Sequence, residues 1–513
     1  MGAVPLAETD RTRAELGTLH PGLVPAYDRA LPQARAEILT RLLGALHREN
    51  LPGVAARSPG SVQLADGRRL TYPAPAATAF AQVAAGLTVT VDDQRRITDP
   101  AALVAALGWA AGFHDEIAGS VANLALAYAN PPPAAARPLL DAATALATYE
   151  QLVADGHPLH PGCRTRTGMS IADLLAYAPE HRPTLRLRRL RVPPDRWYGD
   201  GPPVLLAHPW QVDRLRDRYP YLTDAGETGP VRPLMSLRTV AGASAHVKTA
   251  LNVQMTSAVR TVSPAALHNG PRLSQLLRDV AVGLPLSVLT EYGPGAVRTD
   301  DGLPDRQLAH LHRTAPVVGP GETVLPLAAL AAADPYDGRP VLLHAATDPY
   351  GWWHDLTHLL VPPLLAVLDR GVALEAHGQN TLVVLDRGRP ARIIYRDFGG
   401  VRVSPARLRA AGFEAPPLDG DLPSDDPVVL RTKLAAAVGT IVGQLVAVLT
   451  RAGADPAKLW ATAAAAFASA GTADAAAILR SPLPVKATTA MRLAADPLDD
   501  IWTHLDNPLS AAA

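Results

Sequence analysis

The chain of 513 residues is long enough for two to four structural units, each with its own apolar core. Its 48 basic and 48 acidic side chains balance, so the composition does not favour nucleic acid or an anionic membrane as a partner. The single cysteine, Cys163, excludes an internal disulfide, and no N-terminal stretch resembles a signal peptide, so we expect a cytoplasmic protein. The apolar tracts around 433–450 and 460–479 are interrupted by small or polar residues, which favours soluble helices over membrane spans.

Lysine is scarce in this chain. Of the 48 basic residues only four are lysines, namely Lys248, Lys433, Lys458 and Lys486. Arginine is used almost everywhere that a positive charge is needed. A lysine that remains therefore indicates a position where a compact ammonium group is required.

The N-terminal part, up to about residue 155, is predicted to be mostly helical. Apolar spacing and proline boundaries predict helices over Leu31–Asn50, Pro100–Tyr128 and Ala136–Asp155, a hairpin over Ser61–Tyr72 and a strand over Leu87–Val91. His114, Asp115 and Glu116 are adjacent, but on a helix they point in different directions. We interpret them as a solvated face, and we find no convincing chemistry in this region.

The segment that begins at residue 156 has a different character, GHPLHPGCRTRTGMS. Proline after histidine holds the chain extended. His160, Arg164 and Arg166 are then placed to meet phosphate or carboxylate oxygens. A metal site is disfavoured because His157 and His160 have no third ligand nearby. The remaining alternative is a surface loop that caps the next helix.

The middle of the chain is predicted to be rich in strands. The runs that favour strands are 184–192, 203–207, Leu234–Val240, Thr249–Met255, Ser287–Tyr292 and Pro340–His344, with a short helix from His208 to Tyr219.

A polar set surrounds the two central strands of this region. Its members are Ser236, Arg238, Thr239, Lys248, Thr256, Ser257 and Arg260. The two-residue period places Ser236 and Arg238 on one face and Thr239 on the other. The cations and hydroxyls in this arrangement could hold a triphosphate. An edge strand with an outward polar row is the alternative, and the rare Lys248 argues against it.

The most informative stretch is a predicted hairpin, 381–396, with polar residues at both outer ends. Two apolar, β-branched runs, Thr381–Leu385 and Ala391–Tyr395, flank a turn-like DRGRP. The polar residues before it are Glu375, His377, Gln379 and Asn380, and those after it begin with Arg396 and Asp397, followed by Phe398, Gly399 and Gly400. A hairpin brings its outer ends together, so the two clusters should meet.

Glu375 and Asp397 would then lie at one pocket edge. Mg²⁺ prefers carboxylate oxygens and fills its other positions with water and phosphate oxygens, so we predict that these two residues bind Mg²⁺ in a nucleotide site. A polar turn and a tight bend without a ligand are the alternative.

The C-terminal part is predicted to be helical. The pattern favours helices over Trp352–Arg370, Val428–Leu449, Pro456–Ala470 and Ala473–Leu479, with the pair Pro362-Pro363 kinking or ending the first. His354 and His358 lie one turn apart but lack the glutamate of an HExxH site, so metal binding is disfavoured. Lys486 and Arg492 either reach back to the pocket or complete a helical bundle.

Six motifs in this order resemble those of the IucA/IucC family, the NRPS-independent siderophore synthetases. They are GHPLHPGCRTRTG from residue 156, HPWQ from 208, SLRT from 236, KTALNVQMTSAVR from 248, EAHGQN from 375 and RDFGG from 396. The resemblance is strong over 156–400 and weak through the tail with Lys486 and Arg492.

The resemblance implies an α+β fold shaped like a cupped hand. We place a thumb over 1–155, fingers over 156–345 and a palm over 346–513. It also implies a homodimer and an enzyme that uses ATP and Mg²⁺ to adenylate a carboxylate, usually citrate or a citrate derivative. An amine, hydroxylamine or hydroxyl then captures the acyl-adenylate, releasing AMP; pyrophosphate leaves in the first step.

The resemblance also implies roles for residues. Contacts to nucleotide would come from Ser236, Arg238, Thr239, Lys248, Thr256, Ser257, Arg260, Glu375, His377, Gln379, Asn380 and Asp397. Contacts to the acid substrate would come from His160, Arg164, Arg166, Thr256, Lys486 and Arg492. Arg260 and Lys248 would stabilise charge at the α-phosphate, and either His160 or His377 would assist proton transfer. The family commonly has lysine where this chain has Arg164.

Two other functions are compatible with parts of the sequence. EAHGQN, a hairpin and RDFGG also resemble the catalytic loop and magnesium motif of kinase-like phosphotransferases. Against this, Gln379 lies near where the catalytic aspartate is expected, and no glycine-rich strand–loop–strand precedes it. A ligand-binding or scaffold protein descended from a synthetase is the non-enzymatic alternative. The products separate these readings, because a kinase forms ADP and a synthetase forms AMP and pyrophosphate.

Overall fold

The structure is a computed structural model that describes residues 7–73, 87–142, 144–256, 258–496 and 499–510. Within them the α-helices are α1 Glu8–Leu19, α2 Val24–Arg48, α3 Pro100–Ala106, α4 Ala111–Ala129, α5 Leu146–Leu152, α6 Ile171–Tyr177, α7 Pro209–Leu215, α8 Pro264–Val280, α9 Leu342–Ala345, α10 Pro349–Asp369, α11 Pro405–Ala410, α12 Pro427–Arg451, α13 Pro456–Ser469, α14 Ala473–Arg480 and α15 Thr488–Leu493.

The strands of the first half are β1 Val54–Ser58, β2 Ser61–Leu64, β3 Arg69–Thr71, β4 Val89–Val91, β5 Arg95–Ile97, β6 Arg188–Arg191, β7 Trp197–Tyr198, β8 Val204–Ala207, β9 Thr223–Glu227, β10 Arg232–Pro233, β11 Thr239–Ala241 and β12 Ala245–Thr249. Those of the second half are β13 Gln254–Met255, β14 Ala258–Val259, β15 Leu286–Val288, β16 Glu291–Arg298, β17 Pro304–Thr314, β18 Glu322–Pro326, β19 Val372–Ala373, β20 Thr381–Asp386, β21 Arg389–Tyr395, β22 Arg402–Val403, β23 Leu483–Lys486 and β24 Trp502–Leu505.

The N-terminal part combines helices with a small antiparallel sheet. Strands β1 to β5 pair in chain order, and α2 packs against α4. Their apolar side chains, among them Leu42, Leu70 and Leu124, form one buried cluster. The predicted hairpin over Ser61–Tyr72 is confirmed by the pairing of β2 with β3.

Two sheets carry the site. The fingers sheet has the strand order β10-β11-β12-β17-β16-β7, and the palm sheet has the order β15-β21-β20-β18. Helices α10, α12 and α13 share a buried apolar cluster with the palm sheet. Strands β15 and β18 come from before residue 346, so the predicted boundary between fingers and palm divides the palm sheet.

The structure corrects several predicted elements. Leu234–Val240 is not one strand, because a turn occupies its first half, Leu237 has a positive φ of 64°, and β11 begins only at Thr239. The next strand was predicted over Thr249–Met255, but β12 covers Ala245–Thr249 and so ends where that strand was predicted to begin.

Three further corrections concern helices. Pro340–His344 was predicted as a strand, but helix α9 covers its last residues. The helix predicted over Ala136–Asp155 shrinks to the seven residues of α5. Helix α10 continues through Pro362-Pro363, because burial of its apolar face against α12 and α13 outweighs the cost of about 3 kcal/mol that an internal proline imposes.

Helix α12 is long and apolar enough to cross a bilayer by length and composition alone. However, 78% of its most apolar window is buried inside the protein. Leu434, Ile441 and Leu445 on this helix belong to the palm core. The burial favours a core helix over a membrane span.

A buried ion pair ties α5 to the palm. One carboxylate oxygen of Glu150 accepts a hydrogen bond from Arg396, and the other accepts the Met235 N–H at 3.0 Å. The side chains of Glu150 and Arg396 are each at most 3% exposed. Glu150→Gln should therefore lower the free energy of unfolding by about 3–5 kcal/mol, since Arg396 is left buried without its counter-charge. The measurement is urea unfolding.

The matched control is Glu322→Gln, which removes a half-buried partner of Arg392 at 2.7 Å. It should cost at most about 1 kcal/mol. Equal losses in both variants would show that the Glu150–Arg396 pair has no special structural role.

Candidate functional site

The outer ends of the central hairpin meet, as predicted. Strands β20 and β21 pair antiparallel with Thr381 opposite Tyr395. The Tyr395 hydroxyl accepts the Glu375 N–H at 3.2 Å. Gly400 lies so close to Glu375 that a Cβ there would stand 1.8 Å from the carboxylate, so only glycine fits. The polar clusters before and after the hairpin therefore form one site.

Asp397 is the carboxylate at the end of β21. It has a positive φ of 72°, which is uncommon for a residue other than glycine. Lys248 Nζ contacts both of its oxygens at 3.0 Å, and Arg313 Nη2 donates to one of them at 3.0 Å. Burial alone would raise the pKa of Asp397, but Lys248, Arg313 and Arg238 hold it well below its usual range.

The fingers sheet supplies these cations in register. Thr239 on β11 is paired with Lys248 on β12, and Lys248 is paired with Leu311 on β17. Arg313 follows Leu311 by two residues and therefore lies on the same face. Glu291 on β16 is paired with Arg313 and accepts from its Nη2 at 2.8 Å. One sheet face thus presents hydroxyl, ammonium, guanidinium and carboxylate groups side by side.

Glu375 is held by two other lysines. Lys486 Nζ lies 2.8 Å from its carboxylate and Lys433 Nζ 3.4 Å. Asp500 binds the same two ammonium groups, at 3.2 Å and 3.0 Å respectively, and the Trp502 ring lies 5.9 Å from each. Burial would raise the pKa of Glu375, but Lys486 and Lys433 lower it to about 2.

Arg260 and Arg238 are half-buried cations. Among the described residues no carboxylate lies within ion-pair distance of either. Within those residues Arg260 donates to the Met255 carbonyl at 3.1 Å and the Thr256 hydroxyl at 2.8 Å, while Arg238 donates to the Thr261 carbonyl. The Nε atom of each arginine is buried and has no hydrogen-bond partner among the residues that the structure describes. Burial, with Arg238 and Arg166 nearby, lowers the pKa of Arg260 to about 10.

Two predicted histidines are neutral. Burial lowers the pKa of His160 to about 3, helped by Arg41, Arg260 and Arg492. Burial also lowers the pKa of His377. The Nδ1 of His160 accepts the Gly162 N–H at 2.9 Å and that of His377 accepts the Gln379 N–H at 3.2 Å, which assigns the proton to Nε2 in each neutral ring.

The arginines of the histidine–proline segment are engaged internally. Arg164 and Arg166 lie 3.3 Å and 3.4 Å from Glu180, and Arg164 also donates to the backbone carbonyls of Ala154 and Val153. Burial would raise the pKa of Glu180, but the two guanidiniums lower it to about 2. This triad fixes the loop that carries His160. Contact of these arginines with substrate stays a prediction.

Glu116 corrects the prediction of a solvated face over residues 114 to 116. Its carboxylate is only 10% exposed and accepts from Arg492 Nε at 2.7 Å. His114 and Asp115 are exposed, because successive residues of a helix point in different directions. Arg492 therefore joins the tail to the thumb.

A small pocket lies where fingers and palm meet. It is lined by Glu150, Leu234, Ser236, Thr239, Arg313, Gln379, Asn380, Arg396 and Asp397. The carbonyl of Gln379 accepts from Arg396 at 2.8 Å. Ser257 lies outside the described residues. Sequence reasoning missed Arg313, Glu291, Lys433, Asp500 and Trp502 as members of the site, although the scarcity of lysine had already marked Lys433.

The donor set suits Mg²⁺ bound jointly with a ligand. No cluster of three or more histidine, cysteine or acidic residues occurs in the described ranges. Asp397 lines the pocket and Glu375 stands at the other end of the same hairpin, and Mg²⁺ typically takes one or two carboxylates and completes its shell with phosphate oxygens and water. The two residues therefore fit a magnesium ion that arrives with a polyphosphate.

Two family descriptions match the chain. Residues 145–202 and 199–332 match "IucA / IucC family", and residues 351–498 match "Ferric iron reductase FhuF-like transporter". Staphyloferrin A synthase of Staphylococcus aureus is 28% identical over 315 residues, 50% of this chain and 53% of that protein. D-ornithine–citrate ligase of the same organism is 23% identical, over 50% of each chain. The chain thus spans about half the length of most of the curated relatives it matches.

Solved structures share the fold over nearly the whole chain. The petrobactin biosynthesis protein AsbB of Bacillus anthracis has a TM-score of 0.77 at 18% identity, covering 96% of this chain and 98% of its own. ATP-bound aerobactin synthetase IucA of Klebsiella pneumoniae has a TM-score of 0.75 at 22% identity, covering 92% and 99%. The fold is therefore the α+β fold of the siderophore synthetases that do not depend on NRPS enzymes. The chain resembles the IucA/IucC family over residues 145–332.

The ion pairs of Glu375 predict how stability depends on pH. Because its folded-state pKa of about 2 lies below the ordinary value of 4.5, the ionised carboxylate stabilises the fold above pH 4.5. That contribution, about 3 kcal/mol, is lost as the pH falls from 4.5 towards 2. In urea unfolding, wild type should exceed Glu375→Gln in stability at pH 7, and the difference should shrink below pH 4.5.

Asp355→Asn is the control, because Asp355 forms an exposed pair with Arg389 at 2.7 Å. It should change stability by at most about 1 kcal/mol. A gap between wild type and Glu375→Gln that stays constant from pH 7 to about pH 3 would contradict the lowered pKa of Glu375.

Proposed function

We propose that the chain is an ATP-dependent carboxylate–amine ligase of siderophore-type biosynthesis. It would adenylate citrate or a citrate-like acid and join the acyl group to an amine, hydroxylamine or hydroxyl. The match of residues 145–332 to the IucA/IucC family supports this activity, as do relatives named as citrate ligases, such as D-ornithine–citrate ligase. A solved structure of the same fold is described as ATP-bound, which supports ATP as the co-substrate.

The observation that carries the proposal is the charge arrangement of the pocket. Glu375 and Asp397 each contact two cations of the chain, whereas half-buried Arg260 and Arg238 have no carboxylate in contact among the described residues, and the Nε atom of each is buried without a partner there. Withdrawing a cation from water without a counter-charge is costly unless an anionic ligand completes it. A triphosphate and a carboxylate are anions of the right kind.

In the first step a carboxylate oxygen of the acid attacks the α-phosphorus of ATP and pyrophosphate leaves. Two anions must approach each other, so the chain has to offset their repulsion. We propose Arg260 and Lys248 for this role, with Arg238 as a third charge. Mg²⁺, held by Glu375 and Asp397 with phosphate oxygens, would neutralise charge on the polyphosphate.

In the second step an unprotonated amine attacks the acyl carbonyl and AMP leaves with the bridging oxygen. The amine loses a proton in this step. His160 and His377 are neutral imidazoles whose Nδ1 lone pairs each accept a backbone N–H, and we propose that one of the two rings accepts the proton at Nδ1 once that hydrogen bond opens. The buried ring of His160 also helps to keep water away from the reactive adenylate.

We further propose that the chain works as a homodimer in the cytoplasm, with small-molecule substrates and without nucleic acid or membrane. A kinase-like phosphotransferase is the competing function. It shares the hairpin and the aspartate but would transfer the γ-phosphoryl group and release ADP. The two functions differ in their products, because the ligase releases AMP and pyrophosphate and the phosphotransferase releases ADP.

Arg260→Ala tests the central role in adenylation. Incubation with Mg-ATP, hydroxylamine and a panel of carboxylates headed by citrate should release AMP and pyrophosphate from the wild type. The variant should lose about 30- to 150-fold in kcat/KM, equivalent to about 2–3 kcal/mol for a lost charge-assisted contact at the transition state.

Arg389→Ala, at an exposed arginine, should keep the wild-type rate. A loss of only a few-fold in Arg260→Ala would show that Arg260 does not stabilise the transition state. ADP in place of AMP and pyrophosphate would establish the phosphotransferase instead.

A further inference from the structure

Both carboxylate oxygens of Asp397 are already in contact with cations of the chain. Three contacts from Lys248 and Arg313, each at 3.0 Å, cover its two oxygens. The side chain is still 28% exposed, so an ion arriving from the pocket can reach it. Any magnesium ion that binds Asp397 must compete with these two cations.

The two competing cations differ in what lies behind them. Lys248 has no carboxylate other than Asp397 within ion-pair distance among the described residues. It can therefore move to a phosphate when Asp397 is taken. Arg313 has a second carboxylate, Glu291, at 2.8 Å, and both of these side chains are less than 5% exposed.

Helix α8 fixes the position of Glu291 and leaves room for its carboxylate. Its backbone N–H donates to the Ser274 hydroxyl of helix α8 at 2.7 Å. A Cβ at Gly270 on the same helix would stand 2.8 Å from the carboxylate, so the glycine leaves room for it. Helix α8 and strand β16 thus hold Glu291 where Arg313 Nη2 bridges its carboxylate and that of Asp397, at 2.8 Å and 3.0 Å.

We propose that Glu291 and Arg313 are positioning residues that hold Asp397 ready for the magnesium ion of Mg-ATP while keeping it available. This inference rests on the proposed function. Glu291 balances the charge of Arg313, so the guanidinium orients the strained Asp397 without binding it as tightly as an uncompensated cation would. When the ion binds Asp397, Arg313 keeps Glu291 as its partner and stays in place.

The proposal makes a distinctive prediction for the pair. Without the charge of Glu291, Arg313 has Asp397 as its only contacting carboxylate and competes more strongly with magnesium. When both charges are removed together, that competition disappears. A purely structural role would instead leave the Mg²⁺ concentration for half-maximal binding unchanged in both variants.

The test measures binding of α,β-methylene-ATP, which cannot be cleaved at the α-phosphate, by calorimetry over a series of Mg²⁺ concentrations. In Glu291→Gln the Mg²⁺ concentration for half-maximal binding should rise by about fivefold or more, within the usual range of couplings between contacting residues. In the double variant Glu291→Gln/Arg313→Gln it should return to the wild-type value or below. Pyrophosphate release should still fall in the double variant, because Asp397 has lost its orientation.

Glu322→Gln is the matched control, because it breaks a glutamate–arginine pair on the palm sheet outside the pocket lining. A midpoint in Glu291→Gln equal to that of the control would overturn the proposal. If Glu291→Gln does not fold, the double variant, in which no buried charge is left unpaired, decides alone, and a raised midpoint there overturns it. Failure of the wild type to bind the nucleotide would remove the proposed function itself, which separates the two failures.

Discussion

The site depends on one constraint: two carboxylates at opposite ends of a single hairpin must be kept ionised inside the protein. Glu375 precedes the hairpin and Asp397 follows it, and burial acts to raise the pKa of each. Distant parts of the chain supply the compensating charge. The fingers sheet brings Lys248 and Arg313 to Asp397, while helix α12 and the tail bring Lys433 and Lys486 to Glu375. Ion pairs at this one site therefore connect the fingers sheet, the palm and the tail.

The site has more positive than negative side chains. The cations without a carboxylate partner are Arg260 and Arg238, which among the described residues contact neutral oxygens. Histidines that stay neutral complete the site, so proton acceptors stand beside fixed positive charge. This combination favours a ligand that brings several negative charges and a reaction that releases a proton.

Local patterns predicted the hairpin, the long C-terminal helices and the meeting of the two polar clusters, because turn chemistry and periodicity act within a few residues. They failed where tertiary pairing decides. The strands around Lys248 lie several residues from their predicted positions, since β17 fixes the register of β12. Arg313 stood in the alternating run LAHLHRT without a distinguishing mark. Lys433 lies on an apolar helix, and only its rarity as a lysine pointed to it.

The most direct test of acyl-adenylate formation follows oxygen from the acid into the products. Citrate labelled with oxygen-18 in its carboxylates, or another acid that the enzyme accepts, is converted with hydroxylamine, and the released nucleotide is analysed by mass spectrometry. The account predicts one labelled oxygen in AMP for each acyl group transferred, because the attacking carboxylate oxygen becomes the bridge to the α-phosphorus. Label in inorganic phosphate together with ADP would show attack at the γ-phosphorus and would contradict it.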